Sequence, residues 1–221
     1  MAIERIIIDF DHTLFDTDAL KRDLSGAVAE FGVNGDLFWE TYPKALQFVS
    51  GEMGYNTEKH LDLLQKSVSF NTAAAKSKMD AVISNSKNYL FPDTLNFLSR
   101  MVGLNVPLIL LSRGERAFQN AKIRAAGIER YFREIHLTSE KKVSILPQLI
   151  KGDAKQIFFI NDHLEETREV MQAFKEIKPV LLRKKASSPE DYVHVGMLNF
   201  ETLGEIKDYL TVYHASTYAR E

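Results

Sequence analysis

Three runs of almost uninterrupted apolar residues constrain the fold of this chain more than any other feature. They cover residues 5–9, 106–112 and 156–161. Apolar and polar residues do not alternate within them, which is typical of strands buried on both faces of a parallel sheet. Weaker strand candidates are residues 134–137, 179–183 and 192–195.

Helical patterns lie between these strands. Residues 93–101, 115–126 and 143–150 carry apolar side chains at helical spacing, and Gly127 follows the second of these segments. Glycine is common directly after the last turn of a helix. Strands that alternate with helices predict an α/β fold, a doubly wound parallel sheet of the Rossmann-like class.

The segment between residues 17 and 90 departs from this alternation because it contains helical patterns and no convincing strand. The patterns cover residues 19–31, 37–49, 58–68 and 73–88, and Pro43 is expected to interrupt the second. We therefore expect a discontinuous core domain, an inserted all-helical domain and a loose C-terminal tail. The corresponding residues are 1–16 with 91–212, 17–90, and 213–221.

Length and composition limit the possible functions. At roughly 150 residues per domain, 221 residues correspond to one large domain or a core with an insertion. The absence of cysteine excludes a disulfide framework, a thiolate zinc site and a cysteine nucleophile. The 28 basic and 30 acidic residues provide no electrostatic footprint for nucleic acid or an anionic membrane. With no basic leader pattern at the N-terminus and no apolar run near the roughly 18 residues of a membrane span, we expect a cytoplasmic protein without nucleic-acid or membrane partners.

Polar side chains follow each of the three strong strands. Asp9 and Asp11 end the first strand, and Ser112 ends the second. In an open α/β sheet the carboxyl ends of the strands line the ligand crevice. If the chain stays extended, the two carboxylates point the same way and can share one cation. The structural alternatives are that Asp11 forms a turn and that Ser112 caps a helix.

Two further groups of charged residues occupy comparable positions. Asp162 follows the third strand and precedes Glu165 and Glu166, while Lys141 and Lys142 open a helical pattern. The acids can hold a divalent cation or complement a helix dipole. A lysine at such a position usually lies in solvent unless it is directed at an anion.

In order along the chain, these features closely resemble the haloacid dehalogenase superfamily. The specific motif is residues 9–14, Asp-Phe-Asp-His-Thr-Leu, which is similar to the superfamily's Asp-x-Asp-x-Thr-Leu signature. Ser112 resembles the second motif, Lys142 the third, and Asp162 with Glu166 the fourth. The resemblance spans residues 5–183, and the helical insertion then corresponds to the superfamily's cap domain.

The resemblance implies a magnesium-dependent phosphatase that acts on a small phosphorylated metabolite. Asp9 is then the nucleophile that forms an aspartyl-phosphate, and Asp11 is the general acid and base. The implied Mg²⁺ ligands are Asp9, Asp162 and the main-chain carbonyl of Asp11, with Glu166 in support. The residues implied to hold the phosphoryl oxygens are Ser112, Arg113, Gly114 and Lys142.

Several assignments stay open at this point. The fourth motif usually reads Gly-Asp, but Asn161 precedes Asp162 here, and Glu165 could replace Glu166 as its second acid. Lys141 remains an alternative to Lys142 as the lysine of the third motif. Cap side chains that could face the substrate are Trp39, Tyr42, Lys44 and His60, although Trp39 and Tyr42 fit a role as core aromatics better.

The two aspartates of the first motif also separate the possible activities. Dehalogenases of the superfamily lack the second aspartate because a halide leaving group needs no proton. Asp11 therefore favours a phosphatase or a phosphomutase. A noncatalytic binding protein with this fold is the alternative from a different functional class.

Overall fold

The computed structural model describes residues 2–46, 54–150, 155–183, 189–193 and 195–218. Within these ranges six parallel strands form one sheet in the order β3-β2-β1-β4-β5-β6. The strands are β1 Arg5–Ile8, β2 Leu108–Arg113, β3 Glu134–Thr138, β4 Ile157–Asn161, β5 Ile177–Leu182 and β6 Leu198–Phe200. The predicted α/β class with a Rossmann-like parallel sheet is confirmed.

The three strong apolar runs form the centre of the sheet, as their composition predicts. Ile7 of β1 pairs with Ile109 of β2 and with Phe159 of β4, and all three side chains are buried. Neighbouring residues such as Ile6 and Ile8 point to the opposite face, where they join a second buried cluster. Because helices cover both faces, neither set of side chains meets water.

Helices outside the insertion cover both faces of this sheet. They are α5 Thr94–Gly103, α6 Arg116–Ala126, α7 Lys142–Leu149, α8 Leu164–Ala173 and α9 Leu203–Tyr218. The apolar residues of α5, α6 and α9 pack with Ile6 and Ile8, whereas those of α7 and α8 pack with Ile7. Helix α6 ends before Gly127, whose φ of 70° lies in the left-handed region that favours glycine.

The described residues of the insertion between β1 and α5 are helical. They form α1 Thr17–Ala29, α2 Gly35–Ala45, α3 Thr57–Gln65, α4 Thr72–Ser84 and a 3₁₀ turn at Ser86–Tyr89. Asparagine or aspartate caps α1, α2, α3 and α4, and each capping side chain accepts a hydrogen bond from a main-chain N–H of the first turn. Helix α1 packs on α4, and α2 packs on α3.

Two expectations from the sequence need correction. Pro43 lies inside α2, in the last turn before Ala45, rather than interrupting the helix. The described residues among 192–195, namely Tyr192, Val193 and Val195, are not in a strand, since Tyr192 ends a 3₁₀ turn at Pro189–Tyr192 and the sixth strand lies at Leu198–Phe200. Residues 47–49 of the predicted second helix, and residue 194, lie outside the described residues.

The expected loose tail is also wrong for residues 213–218, because α9 continues through Tyr218. The Tyr213 ring packs against Phe158 at 5.1 Å, and its hydroxyl donates to Gln156. The ring of His214 is buried and accepts a hydrogen bond from the main-chain N–H of Ile3. Residues 219–221 lie outside the described part of the chain. None of the helices in the described ranges is long and apolar enough to span a membrane.

Candidate active site

The first motif lies where the central strand β1 ends. The Asp9 main-chain N–H donates to the Ile160 carbonyl of β4, so Asp9 is held at the carboxyl end of β1. The chain then turns, and the Leu14 N–H donates to the Phe10 carbonyl. His12 within this turn has a φ of 59°, which lies in the left-handed region that favours glycine.

The carboxylate of Asp9 is buried and contacts a buried lysine. Lys142 Nζ lies 2.5 Å from Asp9 Oδ1, and the Thr13 hydroxyl donates to Asp9 Oδ2 at 3.2 Å. Burial raises the pKa of Asp9 to about 7; the Lys142 charge opposes this rise and the nearby Asp162 charge adds to it. The pKa of Lys142 is raised, because its carboxylate partners outweigh the opposing effect of burial. Lys142 is therefore a cation that faces the proposed nucleophile.

The fourth motif is connected to this pair through Glu166. Glu166 Oε2 lies 2.8 Å from Lys142 Nζ and accepts a hydrogen bond from Asn161 Nδ2 at 3.0 Å. Glu165 instead pairs with Arg168 at the surface. Asn161, which replaces the usual glycine, therefore helps to orient Glu166.

The neighbouring Lys141 does not take part in this cluster. It forms a surface ion pair with Glu169 at 2.7 Å, while the side chain of Lys142 is only 3% exposed. Lys141 is the N-cap residue with an extended backbone, whereas Lys142 is the first residue of α7, so the two side chains point in different directions and Lys142 is the one that reaches Asp9. The geometry thus favours Lys142 and Glu166 over Lys141 and Glu165.

The second motif supplies a buried hydroxyl that is not satisfied by the protein. Ser112 Oγ has no hydrogen-bond partner within the described ranges, although Ser112 is fully buried. A buried polar atom of this kind calls for an explanation, and an oxygen of a bound phosphate supplies one. The exposed Arg113 lines the adjacent pocket.

The main-chain N–H of Gly114, one of the residues implied to hold the phosphoryl oxygens, is hydrogen-bonded within the protein. That N–H donates to the Thr138 carbonyl of β3 at 2.9 Å. The absence of a side chain at Gly114 matters for another reason, because a Cβ there would overlap the Gln119 amide. Gly114 therefore allows Gln119 to approach the site.

The carboxylate of Asp11 is held by three donors that surround it. Oδ1 accepts hydrogen bonds from the Thr17 hydroxyl at 2.6 Å and from Lys122 Nζ at 2.5 Å, and Oδ2 accepts one from Gln119 Nε2 at 2.6 Å. Burial alone would raise the pKa of Asp11, but the Lys122 charge and these hydrogen bonds lower it to about 2. In this arrangement Asp11 is an anion.

A pocket of about 390 Å³ opens onto these residues. Its lining residues are mostly charged: Asp9, Asp11, His12, Arg113, Lys141, Lys142, Asn161, Asp162, His163, Glu165, Glu166 and Glu169. A second cavity of about 580 Å³ shares His12 with this pocket and lies beside the two connections between the insertion and the core, at Asp16 and Phe91.

The oxygen donors of the site fit a hard divalent cation. Asp9 and Asp162 are buried acids beside the main chain of Asp11, and the charges of Asp162 and Asp11 both raise the pKa of Asp9. A cation would relieve this repulsion, and carboxylate and carbonyl oxygens suit Mg²⁺. No group of three or more acidic or histidine side chains within the described residues could hold a metal. A cation here would therefore need main-chain oxygens in addition to the carboxylates of Asp9 and Asp162.

The helical insertion contacts the core beside this pocket. Gly54 lies so close to the loop before α6 that a Cβ would overlap the Glu115 main-chain nitrogen. Next to it, the Tyr55 ring packs edge-on against Phe118 of α6 at 4.9 Å and stacks on Tyr42 at 5.0 Å. Burial raises the pKa of Tyr42, and the charge of Asp11 adds to this rise.

The other side chains considered for the insertion's inner surface differ in their positions. His60 is fully buried and contacts the Thr41 and Tyr55 hydroxyls, each at 2.9 Å, so it belongs to the interior of the insertion. Lys44 pairs with Glu40 at the surface. Trp39 is 44% exposed, which contradicts its interpretation as a core aromatic.

Sequence reasoning did not find several polar residues of the site. Thr13, Thr17, Asn161, Gln119 and Lys122 all contact the motif residues. The available signal for Gln119 and Lys122 was their spacing, because they share the α6 face with the buried Ile123 and Ala126. Polar residues on an apolar helix face indicate a buried polar partner.

Comparison with known proteins agrees with the fold and the motifs. Residues 3–196 match the family described as haloacid dehalogenase-like hydrolase. A glyceraldehyde 3-phosphate phosphatase of Methanopyrus kandleri is 27% identical over 148 residues, which cover 62% of this chain and 63% of that protein. The match therefore spans less than two thirds of the relative's length.

Solved structures show the same fold at low sequence identity. One from Burkholderia xenovorans LB400, described as a haloacid dehalogenase-like hydrolase, has a TM-score of 0.71 at 18% identity and covers 94% of this chain and 98% of its own. An L-2-haloacid dehalogenase from Xanthobacter autotrophicus has a TM-score of 0.62 at 9% identity, and the match covers 95% of this chain and 98% of that chain.

Proposed function

The chain belongs to the haloacid dehalogenase-like hydrolase family, and from this premise we propose that it is a magnesium-dependent phosphatase. Its substrate is a phosphomonoester of a small metabolite, and the reaction passes through an aspartyl-phosphate on Asp9. The observation that carries the proposal is the second carboxylate, Asp11, which lines the same pocket as Asp9. A halide leaving group needs no proton, whereas an alcohol does.

The first step is attack by a carboxylate oxygen of Asp9 on phosphorus. The bond from phosphorus to the leaving oxygen breaks, and the departing alcohol takes up a proton from Asp11. Because Asp11 is an anion beside Lys122, it must first take up that proton from solvent. Lys142 and the unpartnered Ser112 hydroxyl would bind the phosphoryl oxygens and stabilise their charge. Arg113 at the pocket wall is positioned to add to this positive charge.

The second step returns the enzyme to its starting state. Water attacks phosphorus, Asp11 takes up a proton from that water, and the bond between phosphorus and Asp9 breaks to release inorganic phosphate. The ligands for Mg²⁺ would be Asp9, Asp162 and the Asp11 carbonyl. When bound, the cation would supply the charge neutralisation that lets an anionic carboxylate approach an anionic phosphate.

We further propose that the insertion, residues 17–90, is a cap that selects the substrate. Tyr55 lies at its boundary with the core, where it packs against Phe118 of α6, and Tyr42 stacks on Tyr55. A helical unit that closes over a crevice can exclude water and contact the distal part of a ligand. The named relative from Methanopyrus kandleri makes a three-carbon sugar phosphate a sensible first compound in a substrate screen.

The decisive experiment is hydrolysis of para-nitrophenyl phosphate by the wild type and by Asp9→Asn. It is run with Mg²⁺ and again with excess chelator, and Asp36→Asn, an exposed acid in the first turn of α2, is the matched control. We expect activity that requires both Asp9 and the metal and that Asp36→Asn leaves unchanged. Full activity of folded Asp9→Asn would overturn the mechanism. Release of halide from 2-chloropropionate without phosphatase activity would overturn the reaction class.

A further inference from the structure

Helix α6 carries a buried lysine that the family motifs do not include. Lys122 is 1% exposed, and its Nζ lies 2.5 Å from Asp11 Oδ1. A buried ammonium requires a partner because removing its hydration is costly. The ion pair with Asp11 meets this requirement, so the two residues are linked in this structure.

Aromatic rings restrict the position of the Lys122 ammonium. Its Nζ lies 5.2 Å from the centre of the Phe10 ring, 5.3 Å from that of Phe15 and 5.1 Å from that of Phe118. Cations are attracted to the faces of aromatic rings at such distances. The three rings and Asp11 together hold Nζ in one place, and we call this group of four residues the lysine cage.

The hydrogen-bond donors around Asp11 make its two oxygens unequal. Oδ1 accepts hydrogen bonds from both Lys122 and Thr17, whereas Oδ2 accepts one from Gln119 alone. Gln119 is itself anchored, since its Nε2 also donates to the Arg113 carbonyl at 3.0 Å. Oδ1 is thus committed to the protein, while Oδ2 keeps capacity for a further partner.

The same helix is where the insertion contacts the core. Phe118, one wall of the lysine cage, packs against Tyr55 of the insertion. Two of the three donors that fix Asp11, Lys122 and Gln119, therefore lie on a helix that the insertion also contacts, and the third, Thr17, lies on α1 of the insertion itself. Their positions are set by packing from both sides.

From this geometry we infer that Lys122 is a positioning residue for Asp11, which fixes Oδ1 and leaves Oδ2 as the oxygen that faces the leaving group. The inference rests on the proposed phosphatase function and adds to it a residue outside the family motifs. Lys122 does not need to touch substrate. Its loss should impair leaving-group departure much more than substrate binding.

The test uses wild type, Lys122→Met, Asp11→Asn and the double variant, with Mg²⁺ present. The substrates are para-nitrophenyl phosphate, which has a good leaving group, and phenyl phosphate, which has a poorer one. We expect Lys122→Met to lower kcat at least about tenfold more on phenyl phosphate than on para-nitrophenyl phosphate, with KM within about twofold. In the Asp11→Asn background the same substitution should change kcat less than about twofold, because Lys122 acts through Asp11.

Lys76→Met is the matched control, since Lys76 lies on α4 of the insertion and pairs with Asp80 at the surface. Equal losses on both substrates, or equal factors in the wild-type and Asp11→Asn backgrounds, would overturn the inference and assign Lys122 a structural role.

If Lys122→Met does not fold, Phe118→Leu opens one wall of the cage while keeping the charge. It should give the same leaving-group-dependent loss to a smaller extent, and unchanged leaving-group dependence would overturn the inference. Wild type that hydrolyses neither ester would instead refute the proposed function.

Discussion

The carboxylate of Glu166 lies 2.8 Å from the ammonium of Lys142. It therefore shares this lysine with Asp9, whose Oδ1 lies 2.5 Å from the same nitrogen. A charged partner of this kind fixes the direction of the lysine without touching the phosphoryl group. The third and fourth motifs thus act as one unit in the structure.

We expect Glu166→Gln to lower kcat/KM for para-nitrophenyl phosphate by about tenfold or more, because Lys142 loses the group that orients it. The matched control is Glu165→Gln, which removes the same charge from the adjacent residue, whose partner is Arg168 at the surface. Steady-state kinetics of both variants at saturating Mg²⁺ provide the measurement. Similar losses in the two variants would mean that net negative charge, rather than the contact with Lys142, is what matters.

The unpartnered hydroxyl of Ser112 predicts a separation of stability from activity. Ser112→Ala removes an atom without a hydrogen bond in the described structure, so the free energy of unfolding should change by less than about 1 kcal/mol. Activity should fall by about a hundredfold, because the hydroxyl would bind a phosphoryl oxygen in the transition state. Urea unfolding and kcat/KM are measured on the same preparations.

Ser86→Ala provides the converse control. The Ser86 hydroxyl is buried and donates to the Ile83 carbonyl at 2.6 Å within the insertion. This variant should lose about 1 kcal/mol of stability while kcat stays unchanged. If Ser112→Ala showed the larger loss of stability and kept its activity, Ser112 would be a structural residue.

The centre of the fold and the motif positions could be predicted from sequence because strong local signals mark them. Continuous apolar runs occur where a strand is covered on both faces, and Asp9, Ser112 and Asp162 each lie at the end of such a run. The short edge strand Leu198–Phe200 lacks this signal because its residues are half-exposed or exposed. The C-terminal helix depends on distant partners such as Phe158 and Ile3, which local pattern does not reveal.

Part of the site could not be derived from sequence because it depends on which way adjacent side chains point. Lys141 and Lys142 are chemically identical, and only the packing of α7 turns one toward Asp9. Gln119 and Lys122 match no family motif and become meaningful once α6 is placed beside Asp11. Packing of this kind is a tertiary property that periodicity does not contain.

The buried His60 predicts how stability depends on pH. Burial lowers its pKa from 6.5 to about 4, so protonation favours the unfolded chain, in which the ring is hydrated. The contribution of the neutral His60 ring to the free energy of unfolding is complete above about pH 6.5. It is lost as the pH falls toward 4, and the total loss is up to about 3 kcal/mol. Urea unfolding of wild type and His60→Gln between pH 7 and 4.5 measures this contribution as the difference between the two curves.

Asp9 makes the free energy of unfolding depend on pH in the opposite direction to His60. The comparison with His60→Gln is therefore needed to isolate the contribution of His60. Burial raises the pKa of Asp9 to about 7, so its contribution to stability decreases as the pH rises from about 4 to 7. This contribution is common to both proteins and cancels in the difference. Parallel pH curves for wild type and His60→Gln would show that His60 titrates normally in the folded state.

The close approach of Gly54 to the core predicts that this residue limits how the insertion docks. A Cβ at Gly54 would overlap the Glu115 nitrogen, which is main chain and cannot move aside as a side chain can. We expect Gly54→Ala to shift the insertion away from the loop before α6, with a KM raised about tenfold and a smaller fall in kcat.

The matched control, Gly26→Ala, lies within helix α1 with no atom within 4 Å of the added Cβ. It should raise the free energy of unfolding by about 0.5–1 kcal/mol without changing KM, since alanine is the better helix former. An unchanged KM in Gly54→Ala would show that the contact between Gly54 and Glu115 is not needed for substrate binding.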